Sequence, residues 1–186
     1  MPNINKNRDR ERGTALIFAL MFTTIVVGIV TTGTLTLKSQ ITHNRTLFIT
    51  NYQAVMTARS GLTEALSWLR RQTSQPVTSF EPALDPAATP ALLDTEDPDI
   101  GLVRQFRISG NLWARYEVWK EWGADPDPTR LAWREQYQCT DISEAKVGGA
   151  PGAAWRLRSI GYVFRQMDPN IAFNEKPNLV LATEFA

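Results

Sequence analysis

Residues 14–37 read TALIFALMFTTIVVGIVTTGTLTL, with Gly13 immediately before them and Lys38 immediately after. No charged side chain interrupts the run. Its length is about 24 residues, or about 36 Å as an α-helix rising 1.5 Å per residue, enough to cross the hydrocarbon core of a bilayer with some tilt. Upstream lies MPNINKNRDRERG, residues 1–13, in which Lys6, Arg8, Arg10 and Arg12 stand against Asp9 and Glu11. Three readings of this junction compete. A secretory signal peptide has a shorter apolar region closed by a small-residue cleavage site. Here the run is too long, and helical patterning continues beyond it. A plain transmembrane anchor fits the length, with its basic flank on the cytoplasmic side. The third reading is a short basic leader cut off before the apolar segment, which then stays in the mature chain.

Past Lys38 the composition turns polar while the helical period persists. Phe48, Tyr52, Val55, Leu62, Leu66 and Leu69 recur at three- and four-residue steps, interrupted by Arg59, and Asn51, Thr57, Glu64 and Arg70 occupy other faces. That spacing predicts an amphipathic helix with one side to bury. Proline is absent from Ile4 through Gln75, so a single helix is expected from Thr14 to about Gln72. Residues 14–37 form its membrane-spanning half, and residues 38–72 its amphipathic continuation. Gly28, Gly33, Thr31, Thr32, Thr34 and Thr36 lower helix propensity within the apolar half. Local loosening and close packing by small residues are both open readings of that patch.

Residues 73–101 change character, with Pro76, Pro82, Pro86, Pro90 and Pro98 among acidic residues. They read as an extended loop wrapped on a head, docked by Phe80, Leu84, Leu92 and Leu93. From residue 102 to residue 186 the period becomes two. Val103–Ser109 and Leu112–Trp122 flank Gly110-Asn111, a two-residue hairpin signal. Leu112, Ala114, Tyr116 and Val118 share one face of the second arm, and Trp113, Arg115, Glu117 and Trp119 the other. Asp125-Pro126-Asp127-Pro128 breaks the chain. Leu131–Cys139 reads equally as a strand or a short helix. A glycine-rich turn at Val147–Gly152 precedes a strand over Trp155–Arg165, and Asn178–Phe185 is expected to close the sheet. The expected class is α+β: a long N-terminal helix whose apolar stripe is covered by a small antiparallel sheet.

Three stretches carry a family resemblance. Arg10-Glu11-Arg12-Gly13-Thr14-Ala15-Leu16-Ile17 resembles the prepilin-peptidase site of type IV pilins and type II secretion pseudopilins. Ala58-Arg59-Ser60-Gly61-Leu62-Thr63-Glu64-Ala65-Leu66 is similar to the A-x-x-G-L-x-E-A-L stretch of PilX-type minor pilins. Ala154-Trp155-Arg156-Leu157-Arg158-Ser159-Ile160-Gly161 resembles the R-S-x-G strand near the end of their heads. The resemblance implies cleavage after Gly13, N-methylation of Thr14, and a filament core built from Leu16, Ile17, Phe18, Leu20, Phe22, Ile25, Val26 and Ile29. It also implies partners: other pilins, prepilin peptidase and an inner-membrane assembly platform driven by an ATPase. The expected location is the bacterial inner membrane with a periplasmic head, then the pilus or cell surface. Most pilins carry Glu at the fifth mature position, where this chain has Phe18. That departure resembles PilX-type minor pilins and K-type pseudopilins, and it implies a place at the filament tip. The K-type heads usually carry a large inserted domain, for which about 110 residues after the helix leave little room.

Other chemistry is sparse. The net charge is +1, from 20 Lys and Arg against 19 Asp and Glu, which argues against a dedicated nucleic-acid surface. His43 is the only histidine and Cys139 the only cysteine, so neither a zinc cluster of protein ligands nor an internal disulfide is expected. No G-x-x-x-x-G-K-[ST] motif is present, and the glycines of residues 147–152 lack the strand-to-helix setting of a phosphate cradle. The expectation is a non-enzyme without a cofactor. The weak metal candidate is calcium at Asp94, Glu96, Asp97 and Asp99, whose spacing fits no EF-hand loop. Six tryptophans are expected mostly between helix and sheet, with exposed binding anchors possible among Trp113, Trp119, Trp122 and Trp133. The reading from a different class is a membrane-anchored binding or sensor module that never polymerises.

Overall fold

The computed structural model of the chain describes residues 4–89, 91–121 and 128–186. Two compact units divide it, Met1–Thr46 and Leu47–Ala186. A single helix, α1 (Ile4–Arg71), contributes residues to both. It ends one residue before the expected position but begins well ahead of Thr14. The physical reason is that Lys, Arg and Glu of the leader are good helix formers and no proline stands in the way. Near its C-terminus the final carbonyls find side-chain donors: Gln72 Nε2 bonds the Trp68 carbonyl at 3.0 Å and Gln75 Nε2 the Leu69 carbonyl at 2.9 Å. Arg70 and Arg71 occupy the last turn, where the helix dipole favours cations.

The threonine patch of the first unit is helical throughout. Each hydroxyl turns back onto its own helix: Thr31 donates to the Val27 carbonyl at 2.7 Å, Thr32 to Gly28 at 2.8 Å, Thr34 to Val30 at 3.0 Å and Thr36 to Thr32 at 2.8 Å. Polar groups satisfied within the helix are compatible with an apolar surrounding.

In the second unit, four antiparallel strands form the main sheet in the order β3 (Gly101–Ser109), β4 (Leu112–Trp119), β7 (Ile160–Arg165), β8 (Leu179–Phe185). The β3–β4 hairpin turns at Gly110-Asn111 as expected, with Gly110 at φ +53°, a left-handed conformation that glycine adopts freely. Two smaller pairs flank the sheet: β1 (Leu84–Asp85) with β2 (Leu92–Leu93), and β5 (Thr140–Asp141) with β6 (Trp155–Arg156). Two short helices complete the unit, α2 (Pro128–Tyr137) and α3 (Ser143–Val147).

Several expectations need correction. β4 ends at Trp119; Trp122 and the Asp125-Pro126-Asp127 break lie outside the described residues, as does Pro90. Pro128, read as part of that break, opens α2 instead, a position where its missing N–H costs nothing. That settles Leu131–Cys139 as mainly helix. The single strand expected over Trp155–Arg165 is two, because β6 pairs with β5 while β7 enters the main sheet between β4 and β8. Val147 ends α3 rather than starting a glycine turn, and Gly148 caps it in the left-handed conformation. Of the residues expected to dock the proline-rich loop, Phe80 is buried, but Leu84, Leu92 and Leu93 are about half exposed in the β1–β2 hairpin. The loop is held by polar groups instead. Trp68 Nε1 donates to Asp94 Oδ2 at 3.0 Å, Trp155 Nε1 to the Val77 carbonyl at 3.0 Å, and buried Thr95 Oγ1 accepts from the Val103 amide at 2.9 Å.

The largest correction concerns which side of α1 is covered. The buried face is Thr50, Ala54, Thr57, Ala58, Gly61, Ala65 and Trp68, a helical stripe of mostly small residues. The large residues predicted to be inside are not: Phe48 is 74% exposed, Tyr52 and Leu66 are also exposed, and Val55, Leu62 and Leu69 are only partly covered. The cause is how close the sheet comes. A Cβ on Gly61 would collide with Ser159 Oγ and lie 3.0 Å from Tyr116 Cδ2. A Cβ on Gly161 of β7 would collide with the Ala54 carbonyl and lie 2.5 Å from the Ala58 amide. Large side chains have no room in that seam. They gather instead at its end, where Trp68, Val77, Phe80, Leu102, Tyr116, Val118 and Cys139 make the main core. Trp68 and Phe80 meet edge to face with centroids 5.0 Å apart.

Candidate functional site

Within the first unit, the residues proposed for a filament core are all exposed: Leu16, Ile17, Phe18, Leu20, Phe22, Ile25, Val26 and Ile29. They surround the helix on every side. An 18-residue window of this segment reaches a mean hydropathy of 2.2 with none of it buried, so among the described residues one helix is long and apolar enough to span a membrane. Gly13 and Thr14 both lie inside α1. Around Gly28 and Gly33 an added Cβ would meet nothing within 4 Å.

Two of the three sequence stretches that carried the resemblance, residues 58–66 and 154–161, meet in the second unit. Ala58 and Gly61 of one face Ser159 and Gly161 of the other across the close seam. The small residues in both stretches therefore have a steric reason: they let helix and sheet backbones approach.

The four acidic residues suggested for calcium do not converge. Asp94 accepts from Trp68, Glu96 Oε2 from the Gln105 amide at 3.1 Å, and Asp97 Oδ1 from the Ile100 amide at 3.4 Å. Among the described residues, no three His, Cys, Asp or Glu side chains are placed to hold a metal. His43 is exposed on α1. Cys139 is fully buried, and burial pushes its thiol up to about 11. At residues 147–152 no phosphate cradle forms. Asp141 gathers that turn, accepting from the Ser143 amide at 2.9 Å, the Gly152 amide at 2.6 Å and the Ser143 hydroxyl. The Ser143 hydroxyl, then backbone amides, hold the Asp141 carboxyl below its ordinary range.

A feature that sequence reasoning did not join into a site lies on the sheet face opposite the α1 seam. Arg115 Nε donates to Glu117 Oε1 at 2.6 Å, and Trp119 Nε1 donates to Glu117 Oε2 at 3.0 Å. The side chains of Arg115 and Glu117 are 13% and 4% exposed. Arg115 also lies over the Phe173 ring, 4.9 Å from its centroid, and its Nη2 is 3.9 Å from Asp97 Oδ2. Tyr162 sits beside Arg115 in the ladder, and burial, then the Glu117 charge, raises its phenol above the usual value. Asn178, almost fully buried, ties down the loop that delivers Phe173. Its Oδ1 accepts from the Met167 and Asp168 amides, and its Nδ2 donates to three carbonyls of residues 168–172. The alternation Trp113, Arg115, Glu117, Trp119 was visible in the sequence; the loop residue that completes the site was not. Tryptophans 113 and 119 are thus on the outer face, and Trp68 and Trp155 are the ones packed in the main core.

Compared with protein-family models, with curated proteins and with solved structures, the chain has no significant match.

Proposed function

We propose that this chain is a structural subunit of a type IV pilus-like filament, a minor pilin or pseudopilin made as a precursor. The observation that carries the reading is that one helix has two different surfaces. Residues 16–37 are uncharged, largely apolar and uncovered, and residues 50–68 bury a small-residue face under an antiparallel sheet. A simple anchor needs only the first of these. In this reading prepilin peptidase cuts after Gly13 and leaves Thr14 as a methylated terminus. The apolar segment then resides in the inner membrane, the head in the periplasm, until an ATPase-driven platform moves the subunit into a bundle of like helices. Leu16, Ile17, Phe18, Leu20, Phe22, Ile25, Val26 and Ile29 exchange lipid for neighbouring helices there. Phe18, in place of the usual glutamate, suits a tip position with no subunit beyond it, since a buried carboxylate is tolerable only when paired.

The test is the N-terminal sequence and mass of membrane-extracted protein, with and without co-expressed prepilin peptidase. Loss of residues 1–13 and a methylated Thr14 is the expected result. An intact Met1 terminus in the presence of active peptidase would overturn the reading in favour of an anchored, non-polymerising module.

A further inference from the structure

The outer face of the head's sheet encloses a cavity of 580 Å³, within the roughly 300–1,000 Å³ typical of small-ligand sites. Arg115, Glu117 and Tyr162 line its base, and Trp119, Trp133 and Phe173 are its aromatic walls. Trp133 of α2 is 38% exposed and stands edge-on to Trp119 with centroids 4.6 Å apart. A large indole left partly open beside an ordered polar pair is a surface for a ring to stack on.

The charges specify what kind of ring. Among the described residues that line it, two carboxylates, Asp97 and Glu117, face one guanidinium, Arg115, so an anion meets excess negative charge. A cation fares no better. Both oxygens of Glu117 already accept hydrogen bonds, and Asp97 already has the Ile100 amide on Oδ1 and the Arg115 guanidinium 3.9 Å from Oδ2. The unmet capacity belongs to the guanidinium. Among the described residues its hydrogen bond uses Nε, and Nη2 stands 3.9 Å from Asp97 Oδ2, beyond hydrogen-bond distance. A ligand hydroxyl answers this arrangement, because it accepts from Arg115 and donates to Asp97 at once. Gln105, Gln166 and Asn174 around the same cavity add planar amides that also do both.

We propose that this cleft binds a neutral pyranose ring, its apolar face against Trp133 and its hydroxyls bridging Arg115 and Asp97. The assignment is independent of filament assembly. Glu117 acts as a positioning residue, holding Arg115 and Trp119 in place without touching the sugar.

The test is isothermal titration of the full chain, extracted in a zwitterionic detergent with no sugar headgroup. The probes are the methyl glycosides of glucose, galactose and N-acetylglucosamine, with sodium acetate and N-methylacetamide as carboxylate and amide comparators. At least one glycoside is expected to saturate in the millimolar range or tighter. Trp133→Ala, on the open rim, is expected to weaken it at least tenfold while the protein still melts cooperatively. Arg115→Lys, which keeps the charge but loses the planar donor edge, is expected to weaken it as much. If Arg115→Lys does not fold, the Trp133 variant decides alone. No saturable glycoside, equal binding by Trp133→Ala, or binding of acetate or N-methylacetamide alone would each overturn the proposal.

Discussion

At the scale of single residues, burial sets the chemistry more than residue type does. Cys139 is fully enclosed beside the Arg158 carbonyl, and burial pushes its thiol up to about 11 from an ordinary value near 9. A neutral thiol is favoured in the fold. The stability this contributes is therefore complete below pH 9 and is lost as pH rises through 11. Alkylation by iodoacetamide at pH 8 should be at least about 100-fold slower in the native protein than in urea, from the thiolate fraction alone. Ser159 is the opposite case. Its Oγ is buried against Gly61 with no hydrogen-bond partner among the described residues. Ser159→Ala removes a desolvated hydroxyl without opening much space, so it should be neutral or stabilising by about 1 kcal/mol in thermal or urea unfolding. A buried, unreactive cysteine was the expectation for Cys139, but the setting of Ser159 was not legible beforehand, because a lone Ser carries no periodic signal and only contact across the fold defines its surroundings.

At the scale of elements, the period of each segment was readable, and the face it buries was not always. The helix, the β3–β4 hairpin and the closing strand β8 follow from proline-free helical spacing, a Gly-Asn turn and alternation. The error on α1 came from ranking its faces by side-chain size. Ala54, Ala58, Gly61 and Ala65 were the better signal, since a sheet backbone approaches closest where side chains are smallest. Gly161→Ala should therefore cost about 3 kcal/mol, roughly 6–12 °C in melting temperature for a chain of this size. Leu66→Ala, on the exposed side of the same helix, should change stability by no more than about 0.5 kcal/mol. Equal losses from the two variants would show that the seam is looser than the contacts of Gly161 require. A second element-scale test concerns the outer-face pair. Glu117→Gln keeps the shape but strands a buried guanidinium, and should destabilise by about 3 kcal/mol at neutral pH. The cleft itself escaped the sequence because the Phe173 loop reaches it through Asn178, whose five hydrogen bonds lie within a stretch of no regular period.

For the whole molecule, the boundary at Thr46 and Leu47 predicts that the second unit is self-sufficient. A chain reduced to Leu47–Ala186 should give a cooperative melt with near-ultraviolet dichroism from its tryptophans. A gradual, featureless melt would mean that the head depends on residues before 47. Membrane compatibility was legible almost completely, since an uncharged run of this length has few other uses; a head fold drawn from short strands and proline loops was legible only as a class. The seam of Gly61 and Gly161 has a mechanical corollary. Tension applied along the helix would load that contact in shear. Sliding along the axis would carry the Cβ atoms of Ala54 and Ala58, or the bulkier Thr50 or Thr57 of the same face, against Gly161, so the glycines work as a key that resists slippage.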